Sequence, residues 1–229
     1  MSTCFQGLQG LALRATLLDE CCNPVEGECS TVVSESYISL ALAAEIEAAD
    51  EFTVKLAKGT LCLSETGSPT LKRYKMTAVI CRADPDLLNI FAGLNAVLDW
   101  DDNAVGFQVP HGLSNGAKFA LEFWTRVPSD SCEPGASVQY LYWLLPCLEN
   151  GQIGDFTVEN GPMNFTLTAD ATASSTWGVG PYDVVGQDIA GTPGPLLVAI
   201  PDDVPLHAQL TVVPPPVSEC GCQPLVLPS

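Results

Sequence analysis

The chain has 229 residues, 47% of them hydrophobic, and sets 27 acidic side chains against nine basic ones for a formal net charge of −18. That is enough apolar material for one large β domain or two small ones, and charged residues at 16% are too sparse for a disordered acidic chain. The sign of the charge excludes ordinary nucleic-acid binding, which needs Lys and Arg to displace counterions from phosphates, and excludes attraction to anionic lipid as well.

In chain order, period-two alternation predicts half-buried strands. Leu11, Leu13, Ala15 and Leu17 share one face of the first; Ile38, Leu40, Leu42, Ala44 and Ile46 share one face of another. Residues 48–70 read as a long loop, after which Tyr74, Met76, Ala78 and Ile80 resume the alternation. One short helix is predicted within residues 83–93. Asp84 caps the free amides, Pro85 suits the first helical position, Asp86 suits the positive end of the dipole and Gly93 stops the helix.

Asp99, Asp101 and Asp102 group oxygen ligands as a calcium loop does, but an EF-hand begun at Asp99 meets Ala104 where Gly is needed and Pro110 where a carboxylate is needed. A hairpin turn between Val97 and Val105 is expected instead. Phe119, Leu121 and Phe123 alternate as a strand, and the run from Val138 to Leu145 is apolar on both faces, as in a central strand. Asn160-Gly161 reads as a turn folding Met163, Phe165 and Leu167 back onto Phe156 and Val158. Residues 174–205 are rich in Gly and Pro, and the chain ends beyond Val213 in a Pro-rich segment with Cys220-Gly221-Cys222. Neither suits a sheet interior.

The organisation expected is a single domain over residues 1–229. It has an N-terminal arm at 1–10, a β core at 11–213 with long loops at 48–70 and 174–205, and a C-terminal arm at 214–229. Arms and the 48–70 loop are expected to be mobile in a monomer.

Catalytic motifs fail on context. Gly112-Leu113-Ser114-Asn115-Gly116 matches G-x-S-x-G, with Asp155 or Asp183 and then His207 following in hydrolase order, but a nucleophile elbow needs a helix after the serine and Lys118–Val127 alternates as a strand. A serine hydrolase is therefore the remote alternative. The ten cysteines lack paired C-x-x-C spacing, so no metal or other cofactor is expected. Cys81 reads as a small buried hydrophobe, and Cys21 or Cys22 as able to close a loop with Cys29 in oxidising surroundings. The opening MSTCFQGLQG lacks basic and apolar signal regions, which implies synthesis in a cytosol and mostly free thiols there. No run is long enough to span a membrane.

Taken in order, Thr31-Val32-Val33-Ser34, Glu45-Ile46-Glu47, Ala83-Asp84-Pro85-Asp86-Leu87, Ala120-Leu121-Glu122-Phe123-Trp124, the run from Gly154 to Gly161 and the run from Trp177 to Val184 resemble the major tail (tail tube) proteins of long-tailed phages of actinobacteria. The resemblance implies a mainly β fold, a tube-type β-sandwich or partial barrel with one short flanking helix and extended arms. It implies hexameric rings stacked into a tail tube in the virion, assembled in the host cytoplasm. The partners implied are further copies of the chain, a tape-measure protein, a tail terminator and baseplate or tail-tip proteins, with phage DNA passing through unbound. Glu45, Glu47, Asp155, Glu159 and Asp170 are the candidates for a lumen wall that repels DNA. The rival is a disulfide-stabilised virion-surface or adhesin-like β-sandwich.

Overall fold

A computed structural model describes residues 9–227 except 83, 102, 112–117, 129–137, 157–159 and 161–162. The strands in the first half are β1 (Gly10–Leu18), β2 (Gly27–Ser34), β3 (Tyr37–Glu47), β4 (Glu51–Lys55), β5 (Leu61–Thr66) and β6 (Thr70–Ile80). Helix α1 (Pro85–Ala92) follows, then β7 (Asn95–Leu98), β8 (Ala104–Gln108), β9 (Lys118–Arg126), β10 (Tyr140–Ile153) and β11 (Phe165–Thr172). The last elements are short: β12 (Val185–Gly186), β13 (Pro193–Gly194), β14 (His207–Thr211) and β15 (Gln223–Leu225). With 52% strand and 4% helix, the chain is the mainly β, one-helix protein that the alternation predicts.

Nine strands form one antiparallel sheet, eight in the order β15-β2-β1-β9-β10-β11-β6-β3 and β14 beside β10 off that path, and it stays open instead of closing as a barrel. β10 is long enough to serve two neighbours along one edge. Its first half pairs with β14 (Leu141↔Leu210) and its second with β11 (Leu148↔Ala171), while β9 holds the other edge (Trp143↔Phe123). Its apolar character on both faces follows, because the sheet is covered on both sides there.

On one face Leu13, Met76, Ile80, Phe119, Leu121 and Leu145 pack under α1, which contributes Leu87, Leu88, Ile90 and Phe91. The caps are those expected: the Asp84 carboxylate accepts from the Asp86 amide, and Gly93 closes the helix with a left-handed φ of 61°. Gly151 lets β10 run against the helix end, since a Cβ there would strike the Phe91 carbonyl oxygen. The β7–β8 hairpin covers the same face through Phe107, edge-on to Phe165. Its turn is the Asp99 turn, with the carboxylate accepting from the amides of Asp101 and Asn103 at 2.9 Å each.

The opposite face, over β1, β9 and β10, is covered by the Gly/Pro-rich stretch. Instead of forming a loop that leaves the body, residues 174–205 lay Trp177, Val184, Val185, Leu196 and Ile200 on Trp124, Tyr142 and Leu144. Beneath that cover lies a buried ion pair. Arg14 and Glu122 are cross-strand partners; Arg14 Nε and Nη2 donate to the two carboxylate oxygens at 2.5 and 2.7 Å, and Tyr142 Oη donates to Glu122 Oε1 at 2.7 Å. The guanidinium stacks 3.3 Å from the Tyr182 ring centroid. Burial works to lower the Arg14 pKa, yet the charge and hydrogen bonds of Glu122 outweigh it and hold the value above the ordinary one.

Of the two expected arms, the C-terminal one differs from expectation. The N-terminal arm falls largely outside the described residues, although Gln9 already accepts from the Arg126 amide. The C-terminal segment is bound to its own domain: β15 pairs with β2 (Gln223↔Thr31), and Cys222 forms a disulfide with Cys29. A second disulfide joins Cys22 to Cys147 within the core under the Gly/Pro cover. Cys22 and Cys29 therefore take distant partners, not each other, and Cys81 is exposed because the strand ends at Ile80. The expected hairpin at Asn160-Gly161 lies mostly outside the described residues; β11 pairs with β6 and β10.

Two outcomes test this core. Glu122→Ala, which strands Arg14 without a counter-charge, is expected to cost about 3–5 kcal/mol in urea unfolding. The double change Arg14→Met with Glu122→Leu should cost less than either single change, and singles within about 0.5 kcal/mol of wild type would contradict the pair's role. Burial pushes Tyr182 from its ordinary value of 10 up to about 12, against the pull of Arg14. The folded state holds that proton more tightly than the unfolded state. Its stabilisation is thus complete below pH 10 and lost as pH rises through about 12, a decline that Tyr182→Phe should lessen in unfolding midpoints measured against pH.

Candidate functional site

The β3–β6 ladder does not stop at the edge of the body. Pairing passes from Glu47↔Thr70 to Glu51↔Thr66, bridged by the Gly67 amide donating to the Asp50 carbonyl, so β4 and β5 prolong the same hairpin. From Ile46 to the tip at Gly59 this ribbon spans roughly 40 Å at about 3.3 Å per residue. Gly59 turns the chain with a φ of 82°, a left-handed value that favours glycine. Residues 48–70 were expected as a loop. The alternation in Phe52-Thr53-Val54 and Leu61-Cys62-Leu63, around Lys58-Gly59, is the strand signal that reading missed.

Every residue of β4 and β5 is exposed. Val54 pairs with Leu63 and shares a face with Phe52, whose partner is Glu65; Thr53 and Ser64 pair on the other face, and a register shift after Val54 sets Leu61 opposite Lys55. Phe52 at 61% and Leu63 at 50% exposure show that this apolar face has no cover among the described residues. A lone two-stranded ribbon is marginal in water. The charge of residues 48–75, ribbon and base together, also departs from the rest. Lys55, Lys58, Lys72, Arg73 and Lys75 are five of the nine basic residues, whereas residues 48–75 hold only Asp50, Glu51 and Glu65 of the 27 acids.

At the ribbon's base, β11, β6 and β3 turn Met76, Ala78 and Leu167 to the core and turn polar side chains to the opposite face. Two of the five candidate lumen acids meet there through one cation. Arg73 Nε donates to Glu45 at 2.6 Å, and Nη1 donates to Asp170 at 3.0 Å. Lys75 stands 3.9 Å from Glu45, and Lys118 stands 3.9 Å from Glu149. The hydrogen bond from Arg73 holds the Glu45 carboxyl below its ordinary value. These carboxylates are partly neutralised where they stand. Glu47 and Asp155 are exposed without an ion pair among the described residues, and Glu159 lies outside them.

The hydrolase motif at 112–116 also lies outside the described residues, but the segment after it is strand β9, not the helix a nucleophile elbow requires. His207 sits in β14 beside Gln209, at 3.0 Å. Among the described residues, one side-chain cluster has metal-ligand chemistry. Cys29 from β2, Asp86 from the first turn of α1 and Cys222 before β15 bring their ligand atoms within 4.8 Å of one another. Sequence spacing could not reveal it, because the cysteines are 193 residues apart. Burial, reinforced by the nearby Asp84 charge, pushes the Asp86 carboxyl up against the pull of the Cys222 amide. No helix among the described residues is long and apolar enough to cross a membrane. No protein-family model matches the chain, and no curated protein matches its sequence.

If the Glu45–Arg73–Asp170 group persists in solution, Arg73→Gln should raise the Glu45 midpoint toward the ordinary carboxylate value in an NMR titration of its side-chain carboxyl. An unchanged midpoint would show that the pair does not form.

Proposed function

We propose that this chain is a structural subunit that polymerises with copies of itself, and that the polymer is the tail tube of a long-tailed phage. The observation that carries the reading is the exposed ribbon at 51–66, whose apolar face finds no cover among the described residues. A face of that kind is an aggregation liability on a monomer and an interface in an assembly. Its occupant is a second copy, because Lys55 and Lys58 offset Glu51 and Glu65 and leave the ribbon uncharged, whereas the remainder of the chain carries the whole net charge of −18. A contact between unlike surfaces of identical chains is heterologous, and repeated it gives rings or filaments. The free edge of β3 offers a further place for strand addition.

Phage identity rests on the order of segments that resembles tail tube proteins, together with the acidity. Stacked six-fold rings around a channel would let DNA pass without sticking, since a polyanion finds few free cations to bind. The unpaired acids Glu47 and Asp155 fit a repelling wall better than Glu45 and Asp170, which already hold Arg73. Tape-measure, terminator and tail-tip proteins are the partners such a tube requires. The two disulfides favour a second reading, a virion-surface β-sandwich that works as a monomer.

Concentration separates the two. Purified chain is expected to pass from monomer to rings or tubes as its concentration rises, seen by light scattering and negative-stain imaging. Phe52→Ser with Leu63→Ser should abolish assembly with little loss of stability, because both side chains are already exposed. Lys55→Glu with Lys58→Glu should weaken it, most at low salt. A wild-type chain that stays monomeric at every concentration would favour the surface protein.

A further inference from the structure

The C-terminal segment is fastened at one place by several groups of different chemistry. Asp84 caps α1 with one carboxylate oxygen and accepts the Gly221 amide with the other at 2.9 Å, while Asp86 accepts the Cys222 amide at 3.1 Å. The Cys29–Cys222 disulfide closes the same clip, beside a cleft of about 710 Å3 that Cys220 also lines. A disulfide is one of two ways that a pair of facing cysteines can hold a chain end. The other is a shared metal ion, and a third ligand is already in place.

We propose that in its reduced state this clip binds a thiophilic divalent cation of the zinc class through the thiolates of Cys29 and Cys222 and the carboxylate of Asp86. The three ligand atoms lie within 4.8 Å of one another; on a tetrahedral zinc with bonds of about 2.0–2.3 Å the two sulfurs, bonded to each other in the oxidised clip, part to roughly 3.8 Å with the Asp86 oxygen at a similar distance. That adjustment is small for a three-residue edge strand near the chain end. Each ligand comes from a different element, so the ion would join β2, α1 and the C-terminal segment. The fourth position faces the cleft, where Cys220 or water can complete the shell. The Asp84 carboxylate adds negative charge and offsets the positive end of the helix dipole.

The chemistry balances with a thiol reductant such as a cell supplies. Two electrons from the reductant break the S–S bond, the reductant leaves as its own disulfide, and Cys29 and Cys222 become thiols. Metal binding then displaces one proton from each thiol. A chain made in a reducing compartment and later exposed to an oxidising one would keep its C-terminal strand docked throughout, by metal first and by disulfide afterwards.

The test uses the full chain, reduced and freed of reductant without air, and titrated with Co2+ as the probe and Zn2+ as its competitor. One equivalent of Co2+ is expected to give a thiolate-to-cobalt charge-transfer absorption that Zn2+ bleaches, while the oxidised chain gives none. Cys29→Ser and Cys222→Ser should lose the absorption, with circular dichroism reporting that the strands remain. Cys22→Ser, which removes the other disulfide, and Cys62→Ser should keep it. Asp86→Asn retains both sulfurs and should weaken binding by about tenfold or more. Zn2+ should also restore protection of the segment after Val213 against limited proteolysis in the reduced chain. No absorption in the reduced chain, reduction that unfolds it, or absorption that survives Cys29→Ser or Cys222→Ser would overturn the proposal, as would Asp86→Asn with unchanged affinity.

Discussion

An ion pair removed from water has to be satisfied and covered from every side, and the Arg14–Glu122 pair imposes that requirement on half of this molecule. Tyr142 supplies the third hydrogen bond to the carboxylate and Tyr182 supplies the ring against the guanidinium. Both need neighbours that exclude solvent, which is why a stretch with almost no regular secondary structure is nonetheless packed. Trp177, Val184 and Leu196 lie over the pair, Thr176 Oγ1 donates to the Cys22 carbonyl at 2.6 Å, and Cys22 is bonded to Cys147 in β10. The cover, the disulfide and the ion pair depend on one another, and removing any of them leaves a charge or an apolar surface exposed to water.

That division makes the sheet asymmetric. Across β1, β9 and β10 both faces are buried, whereas across β11, β6 and β3 one face is core and the other carries Arg73, Lys75, Glu45 and Asp170 in contact with solvent. The rigid half anchors the hairpin, and the open half extends it. A ribbon of some 40 Å could not hold a direction if its base were as thinly packed as its tip. Here its base is continuous with β6, whose Met76, Ala78 and Ile80 lie in the main core.

Local rules were readable and long-range ones were not. Strand positions follow from alternation, and α1 follows from Asp84, Pro85 and Gly93, because each signal involves residues only a few places apart. Arg14 in Leu11-Ala12-Leu13-Arg14-Ala15 and Glu122 in Ala120-Leu121-Glu122-Phe123 look like the solvent side of an alternating strand. Their burial depends on a segment more than 50 residues further along the chain, which no periodicity encodes. The same limit hid the pairing of Cys29 with Cys222 and the return of the C-terminal segment, where Pro and Gly had pointed to an arm. For the candidate surface, five acids were legible as acids. Their state was not, since Glu45 and Asp170 share Arg73 only because β3, β6 and β11 are neighbours.

In the proposed assembly, the placement of charge bears on how copies would meet. If the cations were spread evenly, each would pair with one of the abundant acids on its own body, and copies of the chain would meet as polyanions that repel. Lys55 and Lys58 instead project on the ribbon, outside the ion pairs that Arg73 and Lys75 make with Glu45 and Asp170 at its base, and contacts longer than the screening length of about 8 Å at physiological salt count for little. The ribbon can then be attracted by a neighbour's acidic surface, while its apolar face supplies the burial that makes a contact last. Salt weakens the first of these and not the second. In the proposed assembly, encounter and persistence would thus be carried by different residues of one ribbon, Lys55 and Lys58 for approach, Phe52, Val54 and Leu63 for retention.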